Sequence, residues 1–557
     1  MDEFMTGAEA VVRCINNEDV KHVFCVPGES YLEIMDVIYD VPELQLISAR
    51  HEGGAAFMAE AYAKASRNVS VAMATRGVGA ANLSIGVHTA LQDSTPMVVF
   101  LGQVDRKYRG REGFQEVELD RFFEPISKWS VEIREVERIP ELVQRAFRVA
   151  KSGRPGPVVV SLPADILSEN VKMKLYNTDA QNRNIPSEEG LNRCIEMILQ
   201  SKKPLILAGG GIKLSNAEQE LLAFAEALHI PVLTSFRRHD VFPNKNKLYL
   251  GHLGLGTFDE VINSVKQSDL MIAIGTRFSE VTTQSYTLIE SSHRVIHCDI
   301  DPNSIGKVYS PHLALIGDAK ATLSALKEKM NSEVIKTLGW KDWVQSRRKE
   351  YDNITSLNVK KADNMGVEMK KIMQRLQETL PEDAIITNDA GNFAGWLHNY
   401  FQFSLPNTYI GPTSGAMGYG LPAAIGAKLA CPDRTVVSLS GDGGFMMTLQ
   451  ELETAVRYKI PIVSLVFNNN MHGTIRMHQE KHFPNRVIGT ELGNPDFVKL
   501  SESMGVFGQR VKNNDEFGQT LKEALKSQIP SLIEVVCDPE KISVNYTISE
   551  LRKIGTR

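Results

Sequence analysis

Two polar segments, each directly after an apolar stretch, have the residue types of a divalent-cation site. Residues 441–444 read Gly-Asp-Gly-Gly and follow the apolar stretch 435–440. Residues 468–473 begin with three asparagines and follow the apolar stretch 461–467. Both stretches predict parallel strands, and ligands collect at the carboxyl ends of such strands. We therefore expect Asp442 to lie beside the asparagines.

The chemistry of these residues suits Mg²⁺. One carboxylate, one carboxamide and one backbone carbonyl supply the oxygen ligands that this ion prefers, and they leave positions open for phosphate oxygens. Gly441, Gly443 and Gly444 would let the backbone approach a diphosphate closely, and the start of the following helix favours anions. Each segment alone also fits a plain turn or loop.

Gly-Asp-Gly followed along the chain by Asn-Asn resembles the cofactor motif of the thiamin diphosphate-dependent enzymes. The resemblance implies that Asp442 and Asn469 bind Mg²⁺ through their side chains and that Met471 binds it through its carbonyl. Asn468 and Asn470 are the neighbouring alternatives to Asn469. The implied cofactor-binding residues of the two segments also include Gly441, Gly443, Gly444, His472 and Gly473.

Glu52, at the start of the predicted helix 53–66, is a second candidate. Thiamin diphosphate needs a carboxylate at ring nitrogen N1′ that can share a proton in a dry site. A glutamate at a helix start is also an ordinary partner of the helix dipole. The string 51–55, His-Glu-Gly-Gly-Ala, resembles the family segment that carries the activating glutamate. This resemblance implies that Glu52 acts on the cofactor held at the metal site of another subunit, in a homodimer or homotetramer.

Further cofactor contacts are implied by the resemblance alone. Met417, in the string 415–424, would be the bulky residue under the bent cofactor, although a buried methionine often only fills a core. Gly391 and Asn392 stand where family members hold diphosphate oxygens. Gly28 and Gly415 complete the implied cofactor-binding residues.

Within that superfamily the chain resembles acetolactate synthase-like proteins of the catalytic-subunit type. Residues 75–82 and 102–104 correspond to their motifs, and Phe114 and Gln115 are implied active-site residues. The implied reaction decarboxylates pyruvate or another 2-oxo acid and joins the product to a second carbonyl. The alternatives are a 2-oxo acid decarboxylase or oxidase, a carbon–carbon lyase or hydrolase, and a catalytically silent regulatory homologue.

One departure from the family pattern concerns the acceptor substrate. Acetolactate synthases for branched-chain amino acids have a tryptophan a few residues after the Asn-Asn motif, and His478 stands there in this chain. Arg476 lies nearby. Together, Arg476 and His478 would suit a more polar or anionic substrate.

The middle of the chain contains a weaker candidate for nucleotide binding. Three glycines follow the predicted strand 204–208, and Gly210 and Gly211 could approach a nucleotide diphosphate. Arg277 could hold a phosphate or carboxylate bidentately, or form a surface ion pair. Some relatives bind FAD or ADP in this domain and others bind nothing, so the sequence does not decide whether a flavin is bound.

Short apolar strands alternate with helical patterns through most of the chain, which indicates parallel α/β sheets. We predict three domains, each with a central, mainly parallel sheet flanked by helices. They are a pyrimidine-binding domain at 1–173, a Rossmann-like domain at 190–335 and a diphosphate- and Mg²⁺-binding domain at 360–540, followed by a tail at 541–557. The polar stretch 174–189 is the predicted linker. One helix, 448–458, is expected between the two metal-binding segments.

Composition excludes several classes of protein. The 557 residues are 43% apolar and 23% charged with a net charge of -5, so neither nucleic acid nor a membrane is an expected partner. Six cysteines without a Cys-x-x-Cys pair argue against a disulfide framework and a zinc site. We find no signal pattern and no apolar run of about 18 residues, so a cytoplasmic protein is expected.

Overall fold

The computed structural model describes residues 3–175, 182–329, 339–357 and 367–555. Within these ranges the chain forms three six-stranded sheets, and all strand pairs inside them are parallel. Helices alternate with the strands. The predicted three-domain α/β fold is confirmed, whereas the residue numbers of the domain boundaries stay predictions.

The first domain is built from buried strands rich in valine, as expected for a parallel sheet covered on both faces. Its elements are β1 (Glu3–Thr6), α1 (Gly7–Asn16), β2 (His22–Cys25), α2 (Leu32–Tyr39), β3 (Gln45–Ser48), α3 (Glu52–Ser66), β4 (Ser70–Thr75), α4 (Arg76–Asp93), β5 (Met97–Gln103), α5 (Leu119–Phe123), β6 (Trp129–Glu132), α6 (Ile139–Lys151), β7 (Pro157–Pro163), α7 (Ala164–Ser168) and β8 (Asn170–Met173), with 3-10 helices at Glu29–Tyr31, Arg106–Tyr108, Glu124–Ile126 and Val136–Arg138. The sheet order is β3-β2-β4-β5-β7-β6, and β1 pairs antiparallel with β8.

The middle domain has the strand order of a Rossmann sheet. Its elements are α8 (Glu188–Leu199), β9 (Pro204–Ala208), α9 (Gly210–Leu214), α10 (Glu218–Leu228), β10 (Val232–Thr234), β11 (Tyr249–His252), α11 (Asp259–Gln267), β12 (Leu270–Ile274), β13 (Arg294–Asp299), β14 (Leu313–Ile316), α12 (Ala319–Glu328) and α13 (Lys341–Thr355). The strand order is β11-β10-β9-β12-β13-β14. Successive strands are added towards one edge of the sheet from β9 to β11 and towards the other edge from β12 to β14, so the topological switch point lies between β9 and β12. Ligands of open α/β sheets bind at this switch point, which is where the predicted nucleotide-binding glycines lie.

The third domain repeats the topology of the first. Its elements are α14 (Met369–Thr379), β15 (Ile385–Asn388), α15 (Ala394–Tyr400), β16 (Tyr409–Ile410), α16 (Gly420–Ala430), β17 (Val436–Gly441), α17 (Asp442–Thr448), α18 (Glu451–Arg457), β18 (Val463–Asn468), α19 (Gly473–His482), α20 (Phe497–Ser503), β19 (Phe507–Val511), α21 (Asn514–Lys526), β20 (Ser531–Val536) and α22 (Ile548–Gly555). The order β16-β15-β17-β18-β20-β19 corresponds, strand for strand, to that of the first sheet.

A continuous apolar core joins the first and third domains. Residues of α3, such as Ala55, Ala56 and Met58, belong to the same buried cluster as Leu421 and Ile425 of α16. Small side chains on both helices let the two backbones approach closely. This packing fixes the first domain relative to the third within one chain.

The structure corrects some details of the predicted elements. The helix expected over 448–458 is the shorter α18, and a helix that was not predicted, α17, precedes it because the chain becomes helical directly at Asp442. Edge strands such as β6, β14 and β19 were not predicted, since their residues are only partly buried and lack a continuous apolar run. Part of the predicted linker, residues 176–181, lies outside the described residues. In the described part of the chain, no helix has the length and apolar character needed to cross a bilayer.

Candidate active site

Asp442 lies at the point where β17 becomes α17, buried and with its carboxylate held in place. Its Oδ1 accepts a hydrogen bond from the Gly443 amide at 3.0 Å, and its Oδ2 accepts one from Asn494 Nδ2 at 2.8 Å. Burial raises the pKa of the carboxyl group. A cation bound at this carboxylate would offset the cost of burying its charge.

Three side-chain oxygens, one of them from Asp442, surround the amide nitrogen of Asn494. The amide nitrogen Nδ2 of Asn494 lies 3.0 Å from Asn468 Oδ1, 3.2 Å from Asn470 Oδ1 and 2.8 Å from Asp442 Oδ2. These oxygens accept hydrogen bonds from Asn494 in this structure, and carboxylate and amide oxygens are also the ligands that Mg²⁺ prefers. The residues present therefore fit a magnesium site. Asn494 was not predicted, because nothing in the sequence separates it from other loop asparagines.

The asparagine that the motif assigns to the metal has a different orientation from its neighbours. Asn469 Oδ1 accepts a hydrogen bond from the Met471 amide at 3.3 Å instead of sharing the amide of Asn494. Met471 forms a backbone bridge to Glu491. The segment after β18 is thus brought beside Asp442 as expected, while the assignment of Asn469 and Met471 as ligands stays a prediction.

Gly443 has a close neighbour. A Cβ atom at Gly443 would lie 2.9 Å from Nδ1 of His472, so the two predicted cofactor-binding residues pack against each other. Gly441 ends β17 and Gly444 lies in α17, while Gly473 begins α19. The two halves of the motif thus form one continuous wall.

The predicted diphosphate residues after β15 contact both this wall and the C-terminal segment. Asn392 accepts a hydrogen bond from Thr474 Oγ1 at 3.0 Å and donates one to the Ile542 carbonyl, also at 3.0 Å. Gly391 immediately precedes it, and the half-buried Met417 lies with Gly415 in the loop before α16. All these residues belong to the third domain.

Glu52 is the first residue of α3 and lies half-buried in the first domain. Its Oε2 accepts a hydrogen bond from Asn82 Nδ2 at 2.9 Å, and its Oε1 would lie 3.1 Å from a Cβ atom at Gly79. The exposed His51 caps the helix by accepting from the Gly53 amide at 3.0 Å. Among the described residues, no hydrogen bond or ion pair joins Glu52 to the Asp442 group of the same chain.

Other predicted residues of the first domain lie at the same edge of the sheet as Glu52. The Gln115 carbonyl accepts a hydrogen bond from the Gly77 amide at 3.0 Å, and Phe114 is 72% exposed. A Cβ atom at Gly28 would collide with Thr75, so β2 and β4 end in close contact. These residues form one group at the carboxyl ends of the first sheet.

Glu451 positions the segment that presents Glu52, and sequence reasoning missed it. This fully buried carboxylate of α18 accepts hydrogen bonds from the backbone amides of Arg50 and His51 at 3.2 and 3.1 Å. A Cβ atom at Gly54 would lie 2.5 Å from its Oε1, which explains the glycine there. The contact crosses from the third domain to the first.

We expect the thermal midpoint of the Glu451→Gln variant, compared with that of the native chain at the same pH, to increase as pH rises from 5 to 8. Burial raises the pKa of Glu451 from 4.5 to about 7. Its contribution to stability is therefore fully present below pH 4.5 and is lost as pH rises through about 7. Glutamine keeps an acceptor oxygen without the cost of a buried charge. Differential scanning fluorimetry across this pH range measures both thermal midpoints. A difference between them that does not change with pH would refute the prediction.

The predicted substrate residue Arg476 is engaged by a neighbour. Its guanidinium forms an ion pair with the buried Glu480 at 3.0 Å, and Arg552 of α22 pairs with the same carboxylate at 2.7 Å. These contacts hold the pKa of Glu480 at about 2. His478 is exposed on the same helix. Arg552 therefore anchors the C-terminal helix to α19 through Glu480, and Arg476 pairs with the same carboxylate within α19.

The predicted nucleotide-binding residues line one cavity at the switch point of the middle sheet. Gly210, Gly211 and Arg277 are joined there by Arg154 and Arg238, around a volume of about 390 Å³. Arg277 donates to the Gln92 carbonyl at 2.5 Å, so it is not the surface ion pair left open by the sequence. Burial and the neighbouring arginines lower its pKa to about 10.

A carboxylate completes this cavity. Asp299 ends β13, and burial raises the pKa of its side chain to about 6. A carboxylate in the cavity can accept hydrogen bonds from ribose hydroxyls, and clustered arginines suit phosphate. The cavity therefore has the chemistry of a nucleotide diphosphate site.

Comparison with family models covers all three domains. Residues 5–122 match the model "Thiamine pyrophosphate enzyme, N-terminal TPP binding domain". Residues 191–326 match the central domain of the same enzymes. Residues 389–535 match their C-terminal TPP binding domain. The two groups of candidate residues described above thus fall in the two domains whose models describe cofactor binding.

Full-length relatives agree with these models. The chain is 36% identical over 551 residues to the probable acetolactate synthase large subunit of Methanocaldococcus jannaschii, covering 96% of this chain and 92% of the relative. It is 36% identical to the acetolactate synthase large subunit of Buchnera aphidicola, with 94% and 93% covered. It is 33% identical to the large subunit of acetolactate synthase isozyme 3 of Escherichia coli, with 94% and 93% covered.

Proposed function

This chain belongs to the thiamine pyrophosphate enzyme family, and we propose that it is an acetolactate synthase-like carboligase that acts on a 2-oxo acid, most simply pyruvate. The observation that carries the proposal is that the ends of β17 and β18 bring Asp442 beside the asparagine segment 468–470, where Asn494 Nδ2 links Asp442 to Asn468 and Asn470. This geometry supports a bound Mg²⁺ and a diphosphate in the third domain.

In this proposal the third domain holds the cofactor. Asp442, Asn469 and the Met471 carbonyl bind Mg²⁺, and the glycines at the end of β17 leave room for the diphosphate. Asn392 holds the start of α19 in place through its hydrogen bond from Thr474. Met417 supports the cofactor rings. Thiamin diphosphate supplies the carbon nucleophile and the electron sink, while the protein supplies orientation and exclusion of water.

Glu52 has the role of holding a proton at N1′ of the cofactor. Its hydrogen bond from Asn82 fixes one carboxylate oxygen, and the Glu451 contact fixes the backbone before it. Phe114 and Gln115, on the loop over Gly77, are proposed to contact the substrate. The exposed His478 is the better candidate for acceptor recognition, because Arg476 is already paired with Glu480.

We place the complete site between two subunits. Within the described parts of one chain, no hydrogen bond or ion pair joins Glu52 to the Asp442 group. In addition, the face of α4 next to Glu52 carries exposed apolar side chains. Val78 is 53% exposed and Ile85 is 43% exposed. A second copy covering this face would bury them and bring its metal-binding domain to Glu52. The minimal unit is then a homodimer, and a tetramer and a cytoplasmic location stay predictions.

Release of CO₂ from 2-oxo acids tests the proposal. We expect release from pyruvate that requires both thiamin diphosphate and Mg²⁺ and that disappears when the metal is removed by a chelator. If no 2-oxo acid is decarboxylated by protein that has bound the cofactor, the proposed substrate class is wrong.

The middle-domain cavity is proposed to bind an adenine nucleotide diphosphate, as ADP or as the ADP portion of FAD. The hydrogen bonds of Arg154 and Arg277 go to neutral oxygens, so their charges are available to phosphate. Gly210 approaches Arg238 closely, since a Cβ atom there would lie 2.8 Å from its Nε.

We expect Arg277→Ala to weaken binding of this nucleotide at least about ten-fold, because it removes a charged hydrogen-bond donor from a buried site. Isothermal titration with ADP and with FAD measures the effect, and a yellow purified protein would identify FAD directly. Arg193→Ala, on the exposed face of α8, is the matched control. Equal affinities in both variants, or no binding by the native chain, would exclude this role.

A further inference from the structure

Three histidines from two domains meet in the interior between the middle and third sheets. His239 lies in the loop after β10, His252 ends β11, and His398 lies on α15. They are 1%, 3% and 6% exposed. One ring nitrogen from each lies within 4.8 Å of those of the other two. The cluster is separate from the cofactor motif and from the middle-domain cavity.

The hydrogen bonds of this cluster leave nitrogen lone pairs unused. His398 Nε2 lies 2.8 Å from the Tyr409 hydroxyl, and His252 has a backbone partner at Leu255. Among the described residues, His252 Nε2 and both ring nitrogens of His239 have no partner. Each unsatisfied buried polar atom costs about 1–3 kcal/mol. A bound species that accepts these lone pairs would remove that cost.

The pattern is the one that metal-binding histidines show. Such a histidine uses one ring nitrogen for the ion and the other for a hydrogen bond that fixes its orientation. His252 has a backbone partner and an unpartnered Nε2, and the Nε2 of His398 is engaged by Tyr409. Burial lowers the pKa of all three imidazoles, that of His252 to about 4, so they are neutral and able to bind a metal.

We propose that His239, His252 and His398 bind one zinc ion that ties the middle domain to the third domain. Imidazole nitrogens suit zinc far better than Mg²⁺. Arg237 is buried beside His239 and His398 and adds positive charge, while its Nε and Nη1 have no partner among the described residues. The fourth ligand is therefore an anion such as hydroxide or chloride, to which Arg237 donates.

Metal analysis of the full-length protein tests this assignment. The chain is produced in zinc-supplemented medium and purified with thiamin diphosphate and excess Mg²⁺, which keeps the Asp442 site from taking up zinc. We expect one zinc per chain, lost to background in the triple variant His239→Gln, His252→Gln, His398→Gln. His312→Gln, which replaces an exposed histidine of the middle domain, should retain the zinc.

A measurement on the native chain keeps the test decisive if the triple variant does not fold. Chelator-treated native protein should bind added Zn²⁺ one to one in a calorimetric titration and regain a higher thermal midpoint. If the native chain contains no zinc and takes up none, the cluster is filled only by water and the proposal is wrong. Zinc retained in a folded triple variant would overturn it equally. Neither result depends on the proposed reaction, because metal content is measured instead of turnover.

Discussion

Replacing Glu52 by glutamine is expected to lower turnover at least about a hundred-fold while thiamin diphosphate and Mg²⁺ remain bound. The amide cannot hold a proton at N1′ as a carboxyl group does, yet it fits the same space and keeps an acceptor for Asn82. Steady-state decarboxylation of pyruvate measures the first effect. Cofactor titration followed by tryptophan fluorescence measures the second.

Glu43→Gln is the matched control for this variant, because Glu43 is exposed in the same domain. It should retain native turnover. Full activity of Glu52→Gln would show that another group protonates the cofactor. Loss of cofactor binding together with turnover would mean that Glu52 acts in assembly of the site instead.

Asp442→Asn is expected to weaken Mg²⁺-dependent binding of thiamin diphosphate at least about a hundred-fold. Loss of a residue that only supports a metal ligand already weakens metal binding by up to about a hundred-fold, and Asp442 is proposed to be a ligand itself. Asparagine keeps the shape of the side chain but removes the negative charge that faces the metal and the acceptor for Asn494. Titration calorimetry with cofactor at fixed Mg²⁺ measures the change.

The exposed Asp433, in the loop before β17, supplies the control Asp433→Asn, which should bind the cofactor normally. If Asp442→Asn binds thiamin diphosphate as well as this control does, the metal site lies elsewhere. An unchanged thermal midpoint in the absence of cofactor would confirm that the variant is folded.

The positions of the chemically active segments could be predicted because they depend on local sequence. Apolar strands such as β17 and β18 end in short polar runs, and parallel pairing brings those ends together. Asp442 and the asparagines after β18 therefore meet in the structure as expected. The strand order of the sheets does not follow from the same pattern, because it depends on how helices pack across their faces.

Residues that act through tertiary contacts could not be predicted. Glu451 reaches the backbone before Glu52 across a domain boundary, and nothing in its own helix indicates that partner. The three histidines of the buried cluster are likewise distant in sequence, so no spacing suggests a metal. Arg476 is a different case, because its partner Glu480 lies four residues later on the same helix and that spacing predicts an ion pair.

A proton NMR time course with pyruvate, thiamin diphosphate and Mg²⁺ is the most direct test of the proposed activity. We predict that pyruvate is consumed and acetolactate accumulates, and that neither occurs with Glu52→Gln. Acetaldehyde or acetate without acetolactate would contradict carboligation and indicate a decarboxylase or an oxidase. Pyruvate left unchanged by protein that has bound the cofactor would contradict pyruvate as the donor substrate.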